Sequence, residues 1–542
     1  MNCKFAKACS VFALALFLTP FAAHSQAVYG SIYGAVTDAS GAAIPNASVV
    51  VSDVEKGTSI TLKSNDSGEF SADHLVPDTY NVKVDAQGFT TYQQNGIRVF
   101  ADTSIKVAAS LTVGSQGQTV EVNADAVPQL KTDRADVATV FDSQQIVDLP
   151  IPDRNFTNLQ LLLPGAQQLG WSHAASEDPQ GSKQIEVDGQ AFAGVAYELD
   201  GTDNQDPILG IIVINPNADS LSETKITTQN FDAEFGKAVA SVVTAQTKSG
   251  TNSFHGSLFD YRESNANLAR DPFTQGPSQI TAINPFPGGL KNQFGGSLGG
   301  PIMKDRMFFF ADYQGVRQKV GISNLQTVPT AHVVSSCLSG TGCDFSEYLK
   351  LPIDPTTGVS IGTIYQNYPA GSPLAGQNGK PYPGNIIPNS QLSAQALAFL
   401  KLLQPYAPNF NGGTYPGLSQ NYAGGGTGGF NSNQWDVRGD WTASARTHVF
   451  GRFSRFTDVL TGKTMFGPAG GAGFGLGGYG GTSKGANDSL ALGADMAVTP
   501  KLAADVRLGY YRYNIGTAKY DAGVDLATTL GIPGMNTADP ST

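Results

Sequence analysis

The sequence predicts a mainly β protein in three parts: an N-terminal β-sandwich, an α+β unit, and the first part of a large transmembrane antiparallel β-barrel. Three observations carry this reading. The 542 residues include Gly 63 and Pro 30 but are only 15% charged, against roughly 25% in soluble globular proteins, so the chain is rich in turns and poor in charge. Past the N-terminus no apolar run approaches the roughly 18 residues of a membrane helix. The second half instead alternates apolar and polar residues with period two, the pattern by which a barrel hides its apolar face in every second residue. A net charge of −11 and a pI near 5.0 leave no basic footprint, which excludes nucleic acid as a partner. With 40% hydrophobic residues the chain is too apolar to be disordered throughout.

Residues 1–25 read as a secretory signal. Lys4 and Lys7 precede an apolar run, Ala8–Ala23, that is too short to span a bilayer, and small residues follow, with cleavage expected after Ser25 or Ala27. Cys3 and Cys9 leave with it. Cys337 and Cys343 remain, flanking Leu-Ser-Gly-Thr-Gly. In an exported chain this spacing reads as a local disulfide, since a zinc site needs further nearby ligands.

Residues 27–114 show short strands punctuated by turn clusters at Asp38-Ala-Ser-Gly41 and Asn65-Asp-Ser-Gly68, with Val49, Val51, Val82 and Val84 alternating. About 85 residues of this rhythm predict a seven-stranded sandwich. Gly34-Ala-Val-Thr-Asp38, Asn65-Asp-Ser-Gly-Glu-Phe70, Leu75-Val-Pro-Asp-Thr-Tyr80 and Ala86-Gln-Gly-Phe89 resemble the carboxypeptidase regulatory-like domain. That resemblance implies a carbohydrate-binding-like fold and an accessory module without catalytic residues. His74 reads as a surface strand residue, not a metal ligand.

Residues 118–250 mix strand patterns with a helical one. Phe156, Leu159, Leu162 and Leu163 have helical spacing up to Pro164-Gly165. Asp148-Leu-Pro150, Arg154-Asn-Phe156, Leu199-Asp200-Gly201, Phe231-Asp-Ala-Glu234-Phe235-Gly236 and Thr247-Lys248-Ser-Gly250-Thr-Asn252 strongly resemble the plug of TonB-dependent outer-membrane receptors, particularly the Oar-like subgroup. The resemblance implies a plug inside a barrel, and before it a short strand that pairs with the inner-membrane TonB energy-coupling complex. By position the candidate strand is Gln118, Thr119, Val120, Glu121, Val122 and Asn123; the alternative is a linker strand. Asp200, Asp203, Asn204 and Asp206 lack the order of a calcium loop. They are expected in a solvated loop facing the barrel interior.

In residues 251–542 strands are expected at 257–262, 292–299, 307–314, 435–441, 448–454, 488–496 and 504–513. Trp435, Val437 and Trp441 fall on one face, and Asp436, Arg438 and Asp440 on the other. A one-sided soluble sheet would alternate too. Very short turns at 300–305, 443–446 and 499–501, against long Gly/Pro-rich segments at 316–432 and 457–486, favour a barrel with short periplasmic turns and long outer loops. Plugged transporters use about 22 strands, so the chain is expected to be a C-terminally incomplete barrel.

No catalytic constellation emerges, and no cofactor or metal is expected. Gly295-Gly-Ser297-Leu-Gly299 lies inside a strand pattern, whereas a nucleophile elbow needs a strand followed by a helix. Two G-x-G-x-x-G matches, starting at Gly424 and Gly473, do not open helices. His74, His173, His255, His332 and His448 are scattered. The expectation is an outer-membrane receptor in contact with outer-membrane lipid. Its first domain would be periplasmic and its long loops extracellular, and it would capture an unidentified extracellular ligand and import it by plug movement. The rival is a non-transporting surface protein for adhesion or envelope organisation.

Overall fold

Residues that alternate in sequence alternate in burial along the first seven strands. The computed structural model describes residues 29–101, 103–114, 119–123, 135–171, 173–264, 288–367, 376, 378–411, 415–444, 446–499, 502–532, 534 and 535. The expected signal segment, Cys3, Cys9 and Gln118 lie outside the described residues. Strands β1 (Gly30–Asp38), β2 (Ser48–Asp53), β3 (Ser59–Lys63), β4 (Glu69–Leu75), β5 (Asp78–Asp85), β6 (Thr91–Val99) and β7 (Ser104–Leu111) form two sheets, of which one has the order β4-β1-β7. The other runs β3-β2-β5-β6 and gains an eighth strand, β8 (Thr119–Asn123), parallel to β6. Ile32, Val36, Val49, Val51, Val82, Val84 and Leu111 interleave between the sheets.

The turn after β3 depends on one glycine. Gly68 has φ +76°, and a Cβ there would lie 2.5 Å from the Val36 carbonyl oxygen. Gly68→Ala should therefore destabilise the sandwich by about 1–3 kcal/mol, through left-handed strain plus the clash. Chemical denaturation of the whole chain checks this, and an unchanged midpoint would refute it.

The middle segment builds a five-stranded mixed sheet, β13-β12-β15-β14-β9, from β9 (Val137–Asp142), β12 (Val195–Leu199), β13 (Thr202–Asp203), β14 (Leu221–Gln229) and β15 (Ser241–Thr247); β10 (Ala166–Gln168) and β11 (Ile185–Val187) pair separately. The helix Ser143–Asp148 opens on a capping box, in which Asp142 accepts from the Gln145 N–H and the Gln145 side chain accepts from the Asp142 N–H. The helix expected over Phe156–Leu163 is a 3₁₀ turn, Phe156–Leu162, started by Asn155. Apolar residues at 156, 159 and 162 recur every three residues, the 3₁₀ period. Phe156 and Leu159 enter the core while Leu162 is exposed.

All seven expected barrel strands are present, and most run longer. β16 (His255–Ser264), β17 (Leu290–Met303), β18 (Met307–Gln326), β21 (Tyr422–Ser444), β22 (Thr447–Gly462), β23 (Gly481–Thr499) and β24 (Leu502–Arg512) form one antiparallel sheet in that order, and β25 (Ile515–Lys519) also pairs with β23. Its polarity is inverted relative to a soluble sheet. Asp436, Arg438 and Asp440 are 3–6% exposed, whereas Trp435, Val437 and Trp441 are 48–54% exposed. Val506, Leu508 and Tyr510 likewise face out, while the side chains of Asp505 and Arg507 are enclosed. A wall with charge inside and apolar residues outside suits hydrocarbon, not water.

The long segments between hairpins are shorter than expected, 327–421 and 463–480, because β18, β21 and β22 continue past the clear alternation. The glycines from Gly424 to Gly429, G-x-G-x-x-G match included, lie within β21. A Cβ at Gly426 would sit 2.2 Å from the Phe474 ring, so these glycines mark close approach in a strand. The described residues of segment 327–421 are themselves folded. The segment carries helices Ala331–Leu338 and Ala394–Leu403, and β19 (Cys343–Asp344) pairs with β20 (Ile386–Ile387). Cys337 and Cys343 are joined in a disulfide and pack with Val333, Leu392, Leu397 and Leu400.

Candidate functional site

The inner face of the barrel wall is where the three parts meet. Phe141, Ile146, Phe156, Leu159 and Val213 of the middle segment share one apolar cluster with Val316, Phe430, Phe456 and Leu460 of the wall. Beside it lies a chain of buried charges that begins at Asp200. This residue follows β12 in the left-handed conformation (φ 51°) and precedes Gly201. Its carboxylate accepts from the Thr247 N–H at 2.9 Å and the Thr247 hydroxyl at 2.9 Å, and from Arg438 Nη1 at 2.9 Å. Arg452 Nε lies 2.8 Å from the other oxygen, at ion-pair distance but without hydrogen-bond alignment. Both guanidinium groups come from the wall.

The chain continues towards the sandwich. Arg438 grips Asp440 with two hydrogen bonds of 3.0 Å, and the Ser249 hydroxyl of the middle segment donates to Asp440 at 2.8 Å. His448 bridges Asp440 and Asp495, with Nε2 at 3.2 Å and Nδ1 at 3.3 Å. Asp495 also receives Arg507 at 2.7 Å and the phenol of Tyr29, just before β1. Further contacts fasten the sandwich. The Ala101 N–H donates to Glu223 Oε1 at 2.7 Å, Arg98 to Asp142 at 3.1 Å, and the Asn252 side chain to the Lys56 carbonyl at 2.7 Å. Between them lies a cavity of about 420 Å³ lined by Lys56, Arg98, Glu223, Lys248 and Arg438, among others.

The expectation of a solvated loop at 200–206 is corrected. Asp200, Asn204 and Asp206 are buried; Asn204 bonds the Ile214 carbonyl at 2.8 Å, and Asp206 accepts from the N–H groups of Ile208 and Leu209. Only Asp203 reaches out, to Lys237. The loop's polar side chains close its own backbone and the wall contact, so water is not needed to satisfy them.

Asp200 therefore meets the wall, flanked by buried Leu199 and Gly201, and so does Gly250, where a Cβ would lie 2.3 Å from the Phe309 carbonyl oxygen; Lys248 lines the cavity between the parts. Burial lowers the pKa of the Lys248 amine. Glu234, Phe235 and Gly236 lie apart from this junction, Phe235 packing with Ala196, Ala238 and Val242. Of the candidate coupling residues, Thr119, Val120, Glu121, Val122 and Asn123 form β8 on the sandwich. His74 is half-buried in β4 with its ring 6.1 Å from Tyr29. The inward row Asp436, Arg438 and Asp440 was visible as alternation, whereas Tyr29, Arg452, His448 and Asp495 carry no local signal. They converge only through strand register.

Burial also raises three carboxyls of the middle segment. Asp178, Glu198 and Glu223 are each pushed up to about 7, chiefly by desolvation, with Glu234 adding repulsion at Glu198. The folded state thus holds protons that the unfolded state has already lost above its ordinary carboxyl range, so stability falls as pH rises from about 4.5 towards 7. Glu198→Gln should flatten that slope and gain on the order of 1–3 kcal/mol at pH 8. Thermal melts across pH 4–8 check it, and a parallel slope in the variant would contradict it.

The family profile described as outer membrane beta barrel domain matches residues 246–542, more than half of the chain. The chain belongs to the outer membrane β-barrel family. Its wall is therefore an outer-membrane wall, in keeping with the inverted polarity above. The carboxypeptidase regulatory-like domain matches residues 31–112. The TonB-dependent transporter Oar of Myxococcus xanthus is 26% identical over 264 residues, covering 47% of this chain and 23% of its own length; the chain thus spans under a quarter of that relative. Among solved structures, the outer-membrane transporter YddB of Escherichia coli aligns at 12% identity and TM-score 0.39, over 69% of this chain and 39% of its own. The ferric enterobactin receptor PfeA of Pseudomonas aeruginosa aligns at 13% and 0.36, over 70% and 40%. These relatives are transporters and receptors. Among the described residues no group of three His, Cys, Asp or Glu could hold a metal ion.

Proposed function

We propose that the chain works as a TonB-dependent outer-membrane receptor. Its middle segment, 118–250, acts as a plug that closes the barrel until energy from the inner membrane displaces it. The observation that carries this reading is the Asp200 junction, a middle segment fastened to the inner wall through a carboxylate shared by two wall arginines. Ionic contacts of this kind are directional and can be exchanged for water when the plug moves, which a purely apolar seat resists. The folded segment 327–421 would face the exterior and meet the ligand first, the sandwich would be periplasmic, and catalysis has no part in the mechanism.

The test is uptake by cells carrying the full-length receptor, offered labelled ferric siderophores, oligosaccharides and oligopeptides in parallel. One class should accumulate in energised cells, and deleting Thr119–Asn123 should stop accumulation while leaving surface binding intact. Surface binding with no energy-dependent accumulation of any probe would instead establish an adhesive surface protein.

A further inference from the structure

Segment 327–421 encloses a cavity of its own. It measures about 670 Å³ and is bounded by residues of the helices Ala331–Leu338 and Ala394–Leu403, of β19 and β20, and of the chain around Tyr365. A volume of this size holds a drug-sized molecule. Its walls are tied to one another. Asn385, only 1% exposed, accepts from the Ile364 N–H at 2.7 Å and donates to the carbonyls of Phe345 and Gly362 at 2.9 and 3.0 Å. The Tyr382 N–H donates to the Ile364 carbonyl and the Gln366 N–H to the Lys380 carbonyl, each at 2.9 Å, which holds the backbone at Tyr365 beside that at Tyr382. The Cys337–Cys343 disulfide joins the first helix to β19.

The lining selects the ligand. Four rings, Phe345, Tyr348, Tyr365 and Tyr382, line the cavity with aliphatic residues of both helices. Among the described residues no lining side chain is charged, although the segment also holds Asp344, Glu347, Lys350, Asp354, Lys380 and Lys401. Asp344 pairs with His332, and Glu347 accepts from the Thr330 hydroxyl. An ion entering the cavity would therefore shed water and meet no counter-charge, which disfavours anionic chelates and phosphates. The hydroxyls of Tyr348 and Tyr365 and the Asn367 amide make no hydrogen bond among the described residues, so polar partners of neutral kind are available. We propose that this cavity binds an uncharged aromatic compound bearing hydroxyl groups, its rings against the tyrosines and its hydroxyls bonded to Tyr348, Tyr365 and Asn367. This rests on the receptor role proposed above and names the chemical class of the ligand.

The probe is 2-naphthol, titrated by calorimetry against the whole chain in detergent, with detergent alone as the blank. Its anionic analogue 2-naphthoate and the neutral sugar maltotriose are titrated in parallel. 2-Naphthol should bind, and 2-naphthoate should bind about tenfold or more weakly, since its carboxylate finds no counter-charge. Maltotriose, which has no aromatic ring, should bind more weakly than 2-naphthol. Ala396→Trp, at an exposed position of the lining, should abolish binding by filling the cavity. Tyr365→Phe removes a single hydroxyl, guards against a filled variant that disturbs the fold, and should weaken binding about three- to tenfold. No binding of 2-naphthol, equal binding of 2-naphthoate, preference for maltotriose, or binding unchanged in both variants would overturn the proposal. The receptor role is read separately in the uptake experiment above. Binding in the cavity with no energised accumulation of any probe would leave the site standing and overturn transport, whereas energised accumulation of charged probes alone would leave transport standing and overturn the ligand class.

Discussion

Asp200→Ala is expected to cost about 3–5 kcal/mol, because it leaves the buried Arg452 guanidinium without its ion-pair partner and takes one of two carboxylates from Arg438. Arg438 retains Asp440, with which it forms a bidentate pair. Arg452, fully buried, keeps hydrogen bonds only to Ser454 and Ser489 among the described contacts. The Thr247 N–H and hydroxyl would also lose their acceptor. The loss should be local, with hydrogen exchange rising in β12 and β15 while the sandwich core stays protected. Asp200→Asn keeps the shape and one acceptor but not the charge, and should fall between the parent and the alanine variant. The pairing energy is separable: in a cycle with Arg452→Met, the double variant should be more stable than the sum of the single losses by about 1–3 kcal/mol. Strictly additive losses would mean that the carboxylate does not act through the wall.

Placing a charge on the outer face of the barrel is the second large effect. Val437 and Leu508 are 50% and 60% exposed, which in water would make Val437→Arg or Leu508→Arg nearly neutral. Facing hydrocarbon, each should cost about 2–4 kcal/mol near the bilayer midplane, falling towards zero near the interfaces. Folding into lipid vesicles under a urea gradient measures this directly. Neutral substitutions at both positions would mean that this face meets water.

The fold was legible wherever one residue's neighbours decide its surroundings. Strand β21 announces its two faces in the run from Trp435 to Trp441, since period two leaves no other way to separate Trp from Asp. Turn glycines such as Gly68 mark the sandwich's corners. The Gly424–Gly429 stretch was not legible as strand because glycines carry no alternation; what they meet, Phe474 and Gly475, lies about 50 residues on. The 3₁₀ turn at Phe156–Leu162 was present in the three-residue spacing but easily taken for an α-helix. The site divides the same way. Motif residues Leu199-Asp-Gly201 pointed to the junction, yet the partners of Asp200 come from β21 and β22, more than 230 positions away. No local pattern can name Arg452 as one of them. The parallel pairing of β8 with β6 is equally non-local, and it moved a segment read by position as the start of the plug onto the sheet of the sandwich.

The claim on which the rest depends is that this wall separates lipid outside from a charged plug seat inside. Three tryptophans report on it, Trp171, Trp435 and Trp441. In a Trp171→Phe background the remaining two lie on the outward face of β21. Their fluorescence in bilayers of brominated phospholipid is the most direct measurement. Strong quenching, with the chain recovered in the outer-membrane fraction, is the expected result. Unquenched emission from a chain recovered in the soluble periplasm would contradict the account.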